Sequence, residues 1–144
     1  MDAIRYGIVG GGFYARFQLR ALEQVRGIQV AGLASRRPPE ALSQYVQAKR
    51  LGEGRIYPSV REMAHNVDVV AIYAPNFARV SIVEEIGKAL EEGAKLRAVI
   101  CDKPLARNLR EARQMIDRLR PFGIPLIYFE NQLHMKAVQG ARTQ

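Results

Sequence analysis

The glycine-rich stretch GGGFYA at residues 10–15 constrains the fold of this chain more than any other feature. It fits the pattern G-x-G-x-x-G/A and follows an apolar run, residues 4–9, that is typical of a strand buried in a parallel sheet. Gly10 permits a tight turn, Gly12 lets the backbone approach a pyrophosphate, and Ala15 allows the next helix to lie close to the strand. The strand–turn–helix context favours dinucleotide binding over an ordinary βα turn, because a helix N-terminus attracts phosphate.

Apolar and amphipathic segments alternate along the rest of the sequence. Strands are predicted at residues 28–34, 55–57, 67–73, 97–101 and 124–129, and helices at 40–50, 59–64, 80–92 and 108–120. This alternation predicts an α/β fold, a Rossmann-type doubly wound parallel sheet with strand order 3-2-1-4-5-6.

Composition narrows the class of protein. A chain of 144 residues with 48% hydrophobic residues suits one globular domain, and no apolar run approaches the roughly 20 residues that span a bilayer. The chain enters a strand at once, without the pattern of a signal peptide. Cys101 is the only cysteine and His65 and His134 are the only histidines, so we expect no disulfide and no metal site. These features predict a cytoplasmic domain without membrane contact.

The net charge of +8 raises the possibility of nucleic-acid binding. The basic residues are scattered, however, without a Lys/Arg block or interleaved aromatic residues. In the predicted helix at 108–120, Leu109, Ala112, Ile116 and Leu119 form an apolar stripe, and the arginines take the opposite, solvated face. We therefore expect no nucleic-acid partner.

The second strand ends at Ser35-Arg36-Arg37, twenty residues beyond Ala15. Domains that bind NAD usually carry Asp or Glu near this position, to accept hydrogen bonds from the adenosine ribose. A carboxylate would repel a 2′-phosphate, whereas arginine binds it and stacks on adenine. The segment favours NADP over NAD, the alternative being a solvated loop before the next helix.

Two later strands end in polar segments at the carboxyl edge, where open α/β sheets hold their ligands. Ala74-Pro75-Asn76 follows the strand at 67–73, and Asn76 could bind a ribose or cap the next helix. Asp102-Lys103-Pro104 follows the fifth strand, and its charges form either an exposed ion pair of small energetic value or a functional lysine at the cofactor crevice.

In this order the motifs resemble the N-terminal domain of the glucose–fructose oxidoreductase / inositol dehydrogenase (Gfo/Idh/MocA) family. GGGFYA with LRAL at residues 19–22 is similar to the opening of that domain, residues 74–76 resemble its T-P-N segment, and DKPLA at residues 102–106 resembles its E-K-P-L-A segment. The resemblance extends over essentially the whole chain.

The resemblance implies an NAD(P)-dependent oxidoreductase that passes hydride between nicotinamide and a sugar, cyclitol or related polyol. Lys103 would be the catalytic residue, as part of the proton-transfer apparatus, and Asp102 would lie near the nicotinamide ribose. The resulting candidate cofactor-binding residues are Gly10, Gly12, Phe13, Tyr14, Ala15, Ser35, Arg36, Arg37, Ala74, Pro75, Asn76, Asp102, Lys103 and Asn131.

Some positions depart from the pattern of that family. Asp102 is one methylene shorter than the usual glutamate, and Gln18 and Arg79 stand where histidines are frequent. Residues 130–132, Glu-Asn-Gln, replace a more frequent arginine-containing sequence.

Family members have a second, substrate domain that supplies much of the substrate pocket and the oligomer interface. We expect residues 1–130 to form the dinucleotide-binding domain and residues 131–144 to begin the linker toward such a domain, which this chain lacks. The chain alone would then be inactive, and a homo-oligomer would require the second domain.

The leading hypothesis is the NADP-binding part of a sugar-type oxidoreductase. A stand-alone dinucleotide-binding sensor or scaffold without turnover is the alternative, and the absence of a substrate domain favours it. Lys103 favours the enzyme, since a sensor has no evident use for that lysine.

Overall fold

The computed structural model describes residues 3–142, which alternate strands and helices. The strands are β1 (Ile4–Val9), β2 (Ile28–Ala34), β3 (Arg55–Ile56), β4 (Val69–Ile72), β5 (Ala98–Asp102) and β6 (Leu126–Phe129). The helices are α1 (Phe13–Leu22), α2 (Glu40–Ala48), α3 (Val60–Ala64), α4 (Arg79–Glu91), α5 (Leu109–Leu119) and α6 (Lys136–Arg142). Short 3-10 helices lie at Asn76–Ala78, Arg120–Phe122 and Asn131–His134.

The strands form one sheet in the order β3-β2-β1-β4-β5-β6, and every pairing within it is parallel. This confirms the predicted Rossmann-type α/β fold and its strand order. In the register of the sheet, Val9 at the end of β1 lies opposite Ala34 of β2 and Ile72 of β4. The carboxyl ends of these strands therefore meet at one edge, where the turns that follow them can form a common site.

The core lies on both faces of the sheet. On one face, α1 and α2 bury Leu19 and Val46 against strand residues such as Ile8. On the other, α3, α4 and α5 bury a larger cluster that includes Met63 and Ile86. These five side chains are at most 1% exposed, so the turns at the carboxyl edge rest on a close-packed frame.

The buried face of helix α5 differs from the predicted apolar stripe. Leu109 is 66% exposed and Ile116 is 40% exposed, whereas Glu111, Met115 and Leu119 are buried. The buried face is set by packing against α4 and by the start of the helix. There, Asn108 accepts a hydrogen bond from the Glu111 amide at 3.0 Å, and the Glu111 carboxylate turns back to the Arg107 amide at 3.2 Å. Hydrophobicity alone could not reveal a buried glutamate.

Arg118 also departs from the solvated face expected for the arginines of α5. Its side chain is 19% exposed, and its guanidinium pairs with Glu84 at 3.0 Å and Glu91 at 2.8 Å on α4. It lies directly over Gly87, where a side chain on α4 would collide with it. Ionic contact and close helix packing thus join α4 to α5.

The segment predicted as a linker, residues 131–144, begins with the 3-10 helix Asn131–His134 and continues as α6. Residues 143 and 144 of that segment lie outside the described residues. Among residues 3–142, no helix has the length and apolar character needed to cross a membrane.

Candidate functional site

A crevice of about 930 Å³ opens at the carboxyl edge of the sheet. It is bounded by the turns after β1, β2 and β4 and by the last residue of β5, together with the start of α3 and the first turns of α4. Of the residues proposed from the sequence, those that line it are Gly10, Gly12, Phe13, Tyr14, Ser35, Arg36, Arg37, Ala74, Pro75 and Asp102. The fold therefore brings most of the candidate residues from four separate segments into one open site.

Gly10 and Gly12 meet different constraints. Gly10 has φ +126°, and a Cβ there would lie 3.1 Å from the Ala74 nitrogen, so both conformation and packing require glycine. Gly12 has φ −88°, which any residue can adopt, and a Cβ there would meet no protein atom within 4 Å. The fold itself does not require glycine at position 12, and its missing side chain leaves backbone at the start of α1 open to the crevice.

Ser35, Arg36 and Arg37 lie on the β2 side of the glycine turn. A Cβ added at Gly11 would be 3.1 Å from the Ser35 hydroxyl, so this hydroxyl borders the glycine turn directly. Arg36 and Arg37 are exposed, and both guanidinium groups can therefore reach an anion that enters the crevice.

Aromatic side chains form the wall between β1 and β4. The Tyr14 ring stands edge-on to Tyr73, with 5.5 Å between centroids, and the Tyr73 hydroxyl lies 2.9 Å from that of Tyr6. Burial, followed by the effect of Tyr6, raises the pKa of Tyr73 far above its ordinary value. Burial, followed by the negative charge of Asp102, raises the pKa of Tyr14. These phenols stay protonated at neutral pH and can donate hydrogen bonds.

Asp102 ends β5 and is buried, with 7% of its surface exposed. One oxygen, Oδ2, lies 3.9 Å from the Arg79 guanidinium. The other, Oδ1, is buried without a hydrogen-bond partner among the described residues. Because a buried unpaired carboxylate oxygen is costly, this atom is a candidate acceptor for a hydroxyl group of a ligand in the crevice.

Arg79 is the residue that best connects the turns of the crevice. It lies in the first turn of α4 and is 3% exposed. Its Nε donates to the Ala74 carbonyl at 3.0 Å, and its Nη1 donates to the carbonyls of Asp102 and Pro104. One side chain thereby holds the end of β4 and the end of β5.

Four of the proposed site residues lie outside the crevice lining. Ala15 is 1% exposed and packs with the core beneath the glycine turn, which suits the close helix approach expected of it. Asn76 begins the 3-10 helix after β4, while Lys103 and Asn131 are exposed. The structure thus places the proposed catalytic lysine beside the crevice, next to Asp102, rather than within its wall.

Sequence reasoning missed several residues at the crevice. Arg79 departs from the family pattern, and its spacing from Ile82, Val83 and Ile86 puts it on their buried helical face, a signal that indicates burial. Phe77 is 61% exposed and lines the crevice, with no preceding signal in the pattern of the sequence. Other lining residues that were not proposed include Pro58, Ser59, Val60, Tyr73 and Glu85.

No group of three or more His, Cys, Asp and Glu residues suited to a metal ion occurs in the described part of the chain. Cys101 is buried directly before Asp102, and burial raises the pKa of its thiol to about 11. It is therefore a poor nucleophile at neutral pH.

Solved structures with the same architecture include two dehydrogenases. The UDP-N-acetylglucosamine 3-dehydrogenase GnnA from Acidithiobacillus ferrooxidans matches with a TM-score of 0.78 and 23% identity, over 99% of this chain and 44% of that one. The WlbA dehydrogenase from Bordetella pertussis, solved with NADH and UDP-GlcNAcA, matches with a TM-score of 0.74 and 20% identity, over 92% of this chain and 36% of that one. At these identities the likeness establishes the fold.

Relatives by sequence include D-apiose dehydrogenase of Paraburkholderia graminis, 30% identical over 92% of this chain and 33% of the relative. An uncharacterized oxidoreductase of Rhizobium meliloti is 31% identical over 81% of this chain and 33% of the relative. This chain thus spans about a third of the length of these relatives.

Residues 4–128 match the family model described as the oxidoreductase family with an NAD-binding Rossmann fold. The chain belongs to this family, Gfo/Idh/MocA, and forms its NAD-binding domain.

Proposed function

We propose that this domain binds NADPH in the carboxyl-edge crevice and serves an oxidoreductase that acts on a sugar, cyclitol or related polyol. The bound cofactor would accept or donate hydride at its nicotinamide ring. The residues of this chain would bind and orient it. Lys103 would take the proton from the substrate hydroxyl in the oxidising direction, or return it to the carbonyl oxygen in the reducing direction.

The open backbone at Gly12 carries the proposal. The protein itself tolerates a side chain at this position, so a ligand is the simplest reason for glycine there. Gly12 is also the N-cap of α1, whose first amide groups lack helical partners and whose first two residues, Phe13 and Tyr14, line the crevice. Pyrophosphate suits this location, because it is anionic and accepts hydrogen bonds from several amides.

The preference for NADPH rests on the end of β2. Ser35, Arg36 and Arg37 offer one hydroxyl and two cations at the crevice, where an NAD-binding domain commonly presents a carboxylate. Guanidinium groups bind phosphate through paired hydrogen bonds, so they would favour a 2′-phosphate over a free ribose hydroxyl.

Asp102 and Lys103 would act at the other end of the cofactor. The unpartnered Oδ1 of Asp102 can accept a hydrogen bond from a ribose hydroxyl, which would satisfy a buried acceptor. Lys103 is exposed beside it, and its ammonium group would be free to contact a substrate. The substrate class is suggested by relatives such as D-apiose dehydrogenase.

Cofactor titration of an Arg36→Ala variant tests the proposal. A hydrogen bond to a charged group contributes about 1.5–3 kcal/mol, so the variant should bind NADPH about ten- to a hundredfold more weakly. NADH binding should be little changed, because NADH has no 2′-phosphate. Fluorescence titration of both nucleotides provides the measurement, with Arg113→Ala on the exposed face of α5 as the control. Equal losses for NADPH and NADH would refute the assignment of Arg36.

A further inference from the structure

Arg79 satisfies its buried guanidinium with main-chain oxygens from two different turns. A buried cation is costly unless it is paired and its donors are used. Here the carbonyls of Ala74, Asp102 and Pro104 accept from Nε and Nη1, and the Asp102 carboxylate lies 3.9 Å from Nη2. Since the donors of a guanidinium form a rigid planar fork, these carbonyls are held at a fixed separation. The ladder between β4 and β5 ends at the pair Ile72–Cys101, and Arg79 links the residues that follow it on each side.

These two turns lie on one side of the glycine turn, and Arg36 lies on the other. In the sheet, β1 stands between β2 and β4. A dinucleotide whose pyrophosphate rests on the turn after β1 reaches β2 with its adenosine half and β4 and β5 with its nicotinamide half. The turns joined by Arg79 are accordingly those that would meet the nicotinamide half.

We propose that Arg79 is a positioning residue for the nicotinamide half of the cofactor, because it holds the Ala74 and Asp102–Pro104 turns together as one wall of the crevice. This inference rests on the proposed function of dinucleotide binding. Arg79 acts through the two turns, which carry the groups that contact the ligand.

The experiment compares a complete dinucleotide with its adenosine part. The dinucleotide is whichever of NADPH and NADH the unaltered chain binds more tightly. The matching partial ligand is adenosine 2′,5′-bisphosphate for NADPH or ADP for NADH, and both lack the nicotinamide riboside. Affinities are measured by calorimetry for the unaltered chain, Arg79→Met, Arg79→Lys and a control variant.

Arg79→Met should bind the dinucleotide at least about tenfold more weakly, while its affinity for the partial ligand stays within about twofold of the unaltered chain. Arg79→Lys retains a cation with three donors but lacks the planar fork. Its affinity for the dinucleotide should therefore lie between those of the unaltered chain and Arg79→Met. Should Arg79→Met fail to fold, a selective loss of dinucleotide affinity in Arg79→Lys provides the same test.

Leu96→Ala is the control for general destabilisation. Leu96 is buried near the opposite, amino end of β5, so its truncation opens a cavity away from the crevice. This variant should lose stability but keep both affinities.

Equal losses of affinity for both ligands in Arg79→Met, or no loss of either affinity, would overturn the role of Arg79. Failure of the unaltered chain to bind either dinucleotide would instead overturn the proposed function itself.

The single thiol gives a second readout that does not depend on a ligand. Cys101 is fully buried, and its sulfur lies 3.8 Å from the Leu105 carbonyl in the turn that Arg79 holds. Release of this turn should raise the rate of Cys101 labelling by a disulfide reagent more in Arg79→Met than in Leu96→Ala. Equal labelling rates in two variants of equal stability would contradict the inference.

Discussion

Asp102 and Lys103 are adjacent in the chain but occupy opposite environments. The Asp102 carboxylate is buried at the crevice with an unpartnered oxygen, while Lys103 is exposed beside it. They do not form an ion pair among the described contacts, so the alternative of an exposed Asp102–Lys103 pair has no support in the geometry. The role of Lys103 toward the substrate stays a prediction.

Substitution of Lys103 tests that role at the residue scale. In a form of the protein as long as its relatives, Lys103→Met should abolish most turnover and leave cofactor affinity and the fold largely intact. The reason is that the ammonium group would act on the substrate side of the nicotinamide, as a proton-transfer group worth about 10²–10⁴-fold in rate. Steady-state kinetics paired with cofactor titration provides the measurement. Equal losses of turnover and cofactor binding would make Lys103 a cofactor anchor instead.

At the scale of elements, the start of helix α5 can be predicted from the sequence, whereas the burial of Glu111 within it cannot. The cap at Asn108 and the glutamate three residues later form a recognisable helix start. The burial of Glu111 depends on Arg107, whose guanidinium donates to it at 2.9 Å. That pairing is a consequence of how the chain enters the helix, and the hydrophobic pattern of the sequence does not predict it.

The Glu111 carboxylate gives α5 a pH dependence with a defined sign. Hydrogen bonding by the Arg107 guanidinium lowers the pKa of Glu111 below its ordinary value of 4.5. A carboxylate of lowered pKa contributes stability that is complete above its unfolded value and is lost as the pH falls through its folded value. The free energy of unfolding of Glu111→Gln should therefore be lower than that of the unaltered chain at pH 7. At low pH the two values should approach each other.

Urea unfolding at pH 7 and at pH 3 measures this difference. Glu53→Gln is the matched control, because it removes a carboxylate from an exposed position between α2 and β3. A loss of stability in Glu111→Gln that is the same at both pH values would show that packing, rather than ionisation, explains the burial of Glu111.

At the scale of the whole molecule, the crevice is open to solvent rather than enclosed. Hydride transfer requires the substrate carbon and the nicotinamide to be held within reacting distance, and such positioning accounts for roughly 7–11 kcal/mol of a barrier. The described residues offer a cofactor crevice but no closed pocket for a sugar. We therefore expect the 144-residue chain to bind NADPH with negligible turnover of sugars or polyols.

Absorbance assays of NADPH consumption and NADP reduction with a panel of sugars and polyols test this expectation. Binding measured in the same samples separates an inactive domain from a misfolded one. Turnover at rates ordinary for a dehydrogenase, about 1 per second or more, would contradict the expectation and would mean that this domain completes a substrate site on its own.

Most of the fold was predictable because α/β alternation leaves a strong pattern. The predicted bounds of β2, residues 28–34, agree with the structure, and the strand order is the one common to doubly wound dinucleotide-binding sheets. The bounds of β4 and β6 are shorter than predicted, since apolar residues continue beyond the hydrogen-bonded ladder. Motif spacing identified the crevice, but Arg79 and Phe77 were not recognised as part of it, because their roles depend on contacts between distant turns.

The central claim is that a dinucleotide occupies the crevice at Gly12, and Gly12→Thr tests it most directly. Threonine caps helices about as well as glycine, and a Cβ at this position meets no protein atom, so the free energy of unfolding should change by less than about 0.5 kcal/mol. The added side chain would occupy the space that a pyrophosphate needs. Calorimetric titration should show NADPH affinity reduced at least about tenfold in the folded variant. Unchanged affinity in Gly12→Thr would contradict the account.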